Sequence, residues 1–196
     1  MKTLFFDIET IYDEDNKQDI ESLLEKYWNK CDFLPELTKI ITICCWYKKE
    51  DWEFYINNIS WTEKEQIEKF FIAIKSYDTL CWFNIIKFDL PFIIKRAIHL
   101  GISIPDKIKY FWKKPRELNH IIDLQDVYSM NIFWSIGNLD LISKHLWIKT
   151  SKTNMSWNEV QMYYNNWKTD EIIKYCIEDV RATMEIYDEF LKFNLI

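Results

Sequence analysis

The chain has 196 residues, 48 % apolar and 29 % charged, with a formal net charge of −6. That length suits one compact domain spanning 1–196, and the acidic balance argues against the broad phosphate-tracking surface of a sequence-independent duplex binder. No apolar run approaches the roughly 20 residues of a membrane span. A protein whose acidic side chains hold cations stays open, because bound cations reverse the local charge.

In chain order, "KTLFFDIET" reads as a buried strand ending in acids. The chain opens straight into this run, with no basic region and cleavage site, so it reads as a cytoplasmic protein without a secretory signal. Residues 13–30 are polar and read as an irregular or partly helical excursion. "KIITICCWYKKEDWEFYI" reads as two strands of a hairpin. "TEKEQIEKFFIAIKS" is a helix whose Thr62 and Glu65 have the spacing of a capping box. "DTLCWFN" is a short strand, and "FDLPFIIKRAIHLG" a helix with Pro91 in its first turn and Gly101 just past its end.

"NHIIDLQDVYS" reads as a strand running into a helix, with Asp123 as a helix cap rather than a metal ligand. "NLDLISKHL", "NEVQMYYNN" and "TDEIIKYCIEDVRATMEIYDEFLKF" are three further helices. Strands early and helices interleaved and late predict an α/β domain, a central mixed sheet flanked by helices. The odd set Cys31, Cys44, Cys45, Cys81 and Cys176 has no C-x-x-C spacing and reads as reduced core thiols. Lys113, Lys114 and Arg116 read as a solvated loop, with phosphate contact the alternative.

Three segments carry separated acids. Asp7 and Glu9 are two apart on a strand, so both leave one face. Asn84 and Asp89 flank a strand-to-helix junction, and Tyr175 and Asp179 are four apart on a helix, one above the other. Cleaving a phosphodiester needs stabilisation of charge on phosphorus and on the leaving oxygen, and a nucleophile made from water; two divalent cations about 4 Å apart serve both needs. Magnesium takes oxygen ligands, so carboxylates from several elements suit it. Each piece alone has a plain explanation: a solvated strand edge, a helix cap, a half-buried helix. The three together, in this order, are the stronger signal.

"FDIET", "FNIIKFDLPF" and "YCIEDV" together resemble the three motifs of the DEDD superfamily of 3′–5′ exonucleases, which have an RNase H-like fold. The tyrosine four before the last aspartate resembles the tyrosine subgroup; Lys174 stands where the other subgroup has histidine, and His99, His120 and His145 lie far upstream. With "HIIDLQDV" and "LDLISKHL", the pattern looks closest to stand-alone exonucleases related to the proofreading domain of family B DNA polymerases.

The resemblance implies two divalent cations, Mg²⁺ or Mn²⁺, held by Asp7, Glu9, Asp89 and Asp179. Asp7 would bridge both ions, Glu9 and Asp179 would complete the water-activating site, and Asp89 would hold the second ion near the leaving 3′ oxygen. Tyr175 would orient the attacking water, since an unperturbed phenol near pKa 10 is protonated at neutral pH. Thr10 and Asn84 would touch the terminal nucleotide. Phe88 reads either as a base-stacking platform or as a core residue beneath its helix. The implied substrate is the 3′ end of single-stranded DNA, favoured over RNA, in a replication or repair setting with no membrane. The alternatives are a 3′–5′ exoribonuclease and a nucleic-acid-binding adapter with impaired catalysis.

One part of the composition is abnormal: 2 glycines against 10 tryptophans. Average usage predicts roughly 14 glycines at this length. Several tryptophans fall at turn punctuation: Trp52 in a hairpin turn, Trp147 and Trp167 just past helices, and Trp134 and Trp157 in loops. Trp82 stands two before Asn84, where related sequences tend to read glycine, and its bulk is expected to crowd the terminal nucleotide. The codon UGA means tryptophan in one variant code and glycine in another. The expectation is therefore that the cell inserts glycine at these positions, with stacking platforms or core tryptophans as the plain alternative.

Overall fold

The computed structural model describes residues 2–16, 34–47, the backbone of 53–56, 61–111, 120–130, 137–150, 155 and 159–196. Five strands form one sheet: β1 (Thr3–Tyr12), β2 (Thr38–Tyr47), β3 (Glu53–Ile56), β4 (Thr79–Trp82) and β5 (Ile121–Asp123), in the order β3-β2-β1-β4-β5. β2 runs antiparallel to β1 and β3, whereas β4 is parallel to β1 and to β5. The expected mixed sheet is thus present, with the order of an RNase H-like fold. β1 differs from expectation in one respect. It continues beyond its acids to Tyr12, so Asp7 and Glu9 lie within the strand rather than at its end.

The helices are α1 (Glu63–Ile74), α2 (Asp89–His99), the single turn α3 (Asp106–Lys109), α4 (Leu124–Ser129), α5 (Leu139–His145), α6 (Val160–Asn165) and α7 (Thr169–Lys192). Of these, α1 starts on the expected capping box: Thr62 Oγ1 accepts from the Glu65 N–H, and the Glu65 carboxylate accepts from the Thr62 N–H at 2.7 Å. No helix among the described residues is long and apolar enough to cross a membrane.

The alternation of β1 sorts its side chains between two layers. Phe6 points to one face, where its ring meets Phe70 of α1 at 4.7 Å. Phe5 points to the other, against Tyr187 of α7 at 5.1 Å, edge to face. Asp7 and Glu9 share the parity of Phe5, so both carboxylates face α7, the helix that carries Tyr175 and Asp179. Cys44, Cys45, Cys81 and Cys176 are buried and unbridged, as expected; Cys31 lies outside the described residues.

Candidate active site

Beside Glu9 the β1–β2 ladder is irregular. Glu9 pairs with Thr42 and Thr10 with Ile40, so Ile41 is an extra residue on β2, a β-bulge. Helix α1 supplies partners for the backbone here. The buried Gln66 amide donates to the Ile41 carbonyl (2.9 Å) and accepts from the Ile43 N–H (3.1 Å), and Glu63 accepts from the Ile40 N–H (2.8 Å). Ile41 then joins Ile11, Met155, Val160, Ile172 and Tyr175 in a small apolar cluster. That cluster packs round the Tyr175 ring, one helical turn before Asp179.

Asp7, Glu9, Asp89 and Asp179 are all buried. Burial first, and then the charges of Glu9, Asp89 and Asp179, push the Asp7 carboxyl well above the usual carboxylate range. Burial and the neighbouring charges, Asp179 foremost, raise Glu9 in the same way. Tyr175 is pushed up by burial and by Asp179, Glu9 and Asp7, so it stays a phenol. The acids of β1, α2 and α7 therefore lie within electrostatic reach of one another.

Asp89 is the most exposing test of what these acids are for. It is 1 % exposed, and neither carboxylate oxygen makes a hydrogen bond of proper geometry. Its own N–H and that of Ile8 lie near enough to ease its charge, yet burial still raises its pKa. Among the described residues, no lysine or arginine pairs with Asp7, Glu9 or Asp89. Buried carboxylates without a counter-charge are costly. Uncompensated carboxylate oxygens are the ligands a hard divalent cation takes, so the donor chemistry of these residues fits the implied metals.

Among the described residues, Asp7, Glu9 and Cys176 each bring one ligand atom within 4.8 Å of the others. Cys176 is a buried thiol, as expected, and it also borders the site, which its place three residues before Asp179 on one helix face signals. The Cys176 thiol donates to the Asp7 carbonyl at 3.6 Å, and burial raises its pKa far above neutrality. It is therefore a neutral floor beneath the carboxylates, and soft besides, ill-suited to magnesium.

Asn84 is half-buried at the mouth of the β4–α2 turn with a left-handed backbone, φ 63°. Thr10 is half-buried just past Glu9. Phe88 is half-buried, its ring 5.6 Å from that of Phe92 and against the main core. Asp123 caps α4, accepting from the Gln125 and Asp126 N–H groups.

Trp82 departs from expectation. The parallel register Leu4–Leu80 and Phe5–Cys81 puts Trp82 on the face of Leu4 and Leu80, opposite that of Asp7 and Glu9. It is a buried strand residue, 4 % exposed, so its bulk enters the core on the far side of the sheet from the carboxylates. Lys113, Lys114 and Arg116 lie outside the described residues, as do Trp52, Trp134 and Trp157.

A model of the family described as "Predicted 3'-5' exonuclease related to the exonuclease domain of PolB" matches residues 31–196. The chain belongs to this family. It is one of the predicted 3′–5′ exonucleases related to the exonuclease domain of PolB. The match begins downstream of Asp7 and Glu9, but similar proteins extend across them. A DNA polymerase of Pyrococcus glycovorans is 27 % identical over 97 % of the chain, and one of Thermococcus litoralis is 31 % identical over 97 %. The chain spans 25 % and 11 % of their respective lengths. The structure of a family B DNA polymerase from Pyrobaculum calidifontis superposes with a TM-score of 0.69 over all of this chain and 25 % of that one, at 16 % identity. That likeness speaks to the RNase H-like fold of this PolB-related exonuclease.

Proposed function

We propose that this PolB-related exonuclease removes nucleotides from the 3′ end of single-stranded DNA, using two divalent cations, Mg²⁺ or Mn²⁺. Asp7, Glu9, Asp89 and Asp179 are the residues that would hold them. Cations bound there supply charge neutralisation at the phosphate and a water of lowered pKa.

The chain's own residues account for the remainder. Tyr175, a neutral phenol one helical turn before Asp179, donates or accepts at the attacking water and orients it rather than deprotonating it. Asn84 offers an amide at the entrance to the turn, and Thr10 a hydroxyl beyond Glu9, for the terminal nucleotide. Phe88, half-buried with its ring 5.6 Å from that of Phe92, would stack on a base.

The observation that carries this reading is Asp89: a carboxylate 1 % exposed, without a proper hydrogen bond, beside two further buried acids that no lysine or arginine pairs with among the described residues. An adapter that only bound nucleic acid would have no use for that electrostatic cost. The test is hydrolysis of 5′-labelled single-stranded DNA and RNA of one sequence, with Mg²⁺, Mn²⁺ or chelator. Stepwise shortening of DNA from its 3′ end, abolished by chelator and by Asp7→Ala, is expected. Faster shortening of RNA would move the substrate to ribonucleic acid, and binding without shortening would overturn catalysis.

A further inference from the structure

Asp123 does more than cap α4. Its carboxylate is 3 % exposed and accepts four backbone N–H bonds. Oδ1 takes Gln125 (3.0 Å), Asp126 (3.4 Å) and Asn84 (2.9 Å); Oδ2 takes Ile86 (3.2 Å). Two of these bonds cross to the turn between β4 and α2. Within the turn, Asn84 is left-handed at φ 63°, its carbonyl accepts from the Lys87 and Phe88 N–H groups, and the buried Ile85 takes the Leu90 N–H on its own carbonyl; the Asn84 and Ile86 N–H groups go to Asp123. Lys87 adds an exposed ion pair to Asp126 on the same helix (2.8 Å). Directly after the turn comes Asp89, whose own carboxylate has no proper hydrogen bond to hold it. Burial raises the Asp123 pKa, while the N–H bonds oppose that rise.

We infer that Asp123 is a positioning residue for the exonuclease reaction: it clamps the Asn84–Ile86 turn and thereby sets where Asp89 and Asn84 stand. This rests on the active-site reading above. The clamp and the cap are separable by chemistry. Asparagine caps helices as well as aspartate does, so Asp123→Asn keeps an oxygen for α4 and Asn84. At Oδ2 it puts an amide, which repels the Ile86 N–H. The experiment compares Asp123→Asn with wild type by amide hydrogen exchange, by the Mn²⁺ concentration for half-maximal hydrolysis, and by kcat and KM on single-stranded DNA. Expected are faster exchange at Ile86, unchanged protection at Gln125, a several-fold higher Mn²⁺ requirement and a kcat about tenfold lower with KM little moved. Wild-type exchange at Ile86, or wild-type metal requirement and kcat, overturns the inference. An inactive wild type whose Ile86 amide still loosens in Asp123→Asn would retain the clamp and sink the exonuclease reading instead.

A different observation carries a second inference. Four helices end in the same hydrogen-bond pattern, a Schellman motif. At the end of α2, Ile102 N–H reaches Ala97 and Gly101 N–H reaches Ile98; after α5, Ile148 reaches Ser143 and Trp147 reaches Lys144. After α6, Lys168 reaches Tyr163 and Trp167 reaches Tyr164; after α7, Leu195 reaches Phe190 and Asn194 reaches Leu191. The motif needs one left-handed residue, usually glycine and sometimes asparagine. Two ends conform, with Gly101 at φ 68° and Asn194 at φ 53°. The other two hold Trp147 at φ 61° and Trp167 at φ 58°, with side chains 95 % and 91 % exposed.

The geometry points to glycine as the residue the cell inserts at 147 and 167, read from UGA. A side chain that pays left-handed strain while touching almost nothing has no folded-state reason to be there. UGA at both codons is expected, and UGG at either overturns the assignment. The double variant Trp147→Gly/Trp167→Gly is expected to raise Tm by about 5 °C or more, and Trp→Ala at both far less. A glycine variant that gains no stability, or that loses affinity for single-stranded DNA as a stacking platform would, also overturns it.

Discussion

Arg96 of α2 grips Glu63 of α1 through a two-pronged ion pair, Nε to Oε1 at 2.8 Å and a terminal nitrogen to Oε2 at 2.7 Å. The guanidinium is buried and also donates to the Pro35 carbonyl at 3.1 Å, while Asp13 lies 3.5 Å away. Because Glu63 accepts from the Ile40 N–H as well, one side-chain pair ties α1, α2 and the bulged strand together. Such a pair contributes little over an apolar replacement of both members, but losing one member strands the other. Arg96→Met is expected to cost about 3–5 kcal/mol, measured by urea unfolding. Arg96→Met/Glu63→Gln is expected to recover part of that loss, and no recovery would mean that the arginine acts through packing alone.

The site's acids predict how the metal-free protein responds to pH. Burial raises Asp7, Glu9 and Asp89 above their unfolded values. Below about pH 4 all are protonated in both states, and the fold bears no penalty. As pH rises past the ordinary carboxylate range, the unfolded chain releases protons that the fold retains, and stability declines until the folded-state values are passed. Thermal melts in chelator are expected to show this decline. Mn²⁺ should restore the lost stability, most at the alkaline end. Asp89→Asn should stabilise the chelated protein at pH 8 by roughly 1–3 kcal/mol and weaken the Mn²⁺ response. A flat profile in chelator would count against the buried acids as ionisable groups.

Tyr175→Phe keeps the ring among Ile41, Met155 and Val160 and removes only the hydroxyl. Turnover on single-stranded DNA is expected to fall about 10- to 100-fold, with Tm and the Mn²⁺ requirement nearly unchanged. A large shift in metal requirement would instead mark the hydroxyl as part of the cation site.

Gln66 is buried, and its amide serves three backbone groups: the carbonyls of Ile41 (2.9 Å) and Trp61 (3.2 Å) and the N–H of Ile43 (3.1 Å). Gln66→Leu has similar volume and leaves those groups without their partner, at about 1–3 kcal/mol for each one that water cannot reach. A lowered urea midpoint together with a raised Mn²⁺ requirement is expected, because the bulge adjoins Glu9. If stability falls while the metal requirement stays put, the bulge supports the fold without aiming Glu9.

The elements themselves were legible one at a time. The Thr62–Glu65 box, the Gly101 stop and the run from strand to helix at Asp123 are local signals, written in neighbouring residues and decided by neighbouring backbone groups. The same locality made Trp147 and Trp167 stand out as misfits at helix ends. What no local signal carries is which groups become partners across long sequence separation. The thiol of Cys176 under Asp7, the four N–H bonds on Asp123, the Gln66 brace on the bulge and the face that Trp82 takes all depend on strand register and on which helix covers which side. Register moves side chains between faces one residue at a time, and buried polar atoms must find partners wherever the chain brings them. The acids could thus be named from their spacing, whereas their burial, their mutual charge and the residues that hold them in place are properties of the folded chain.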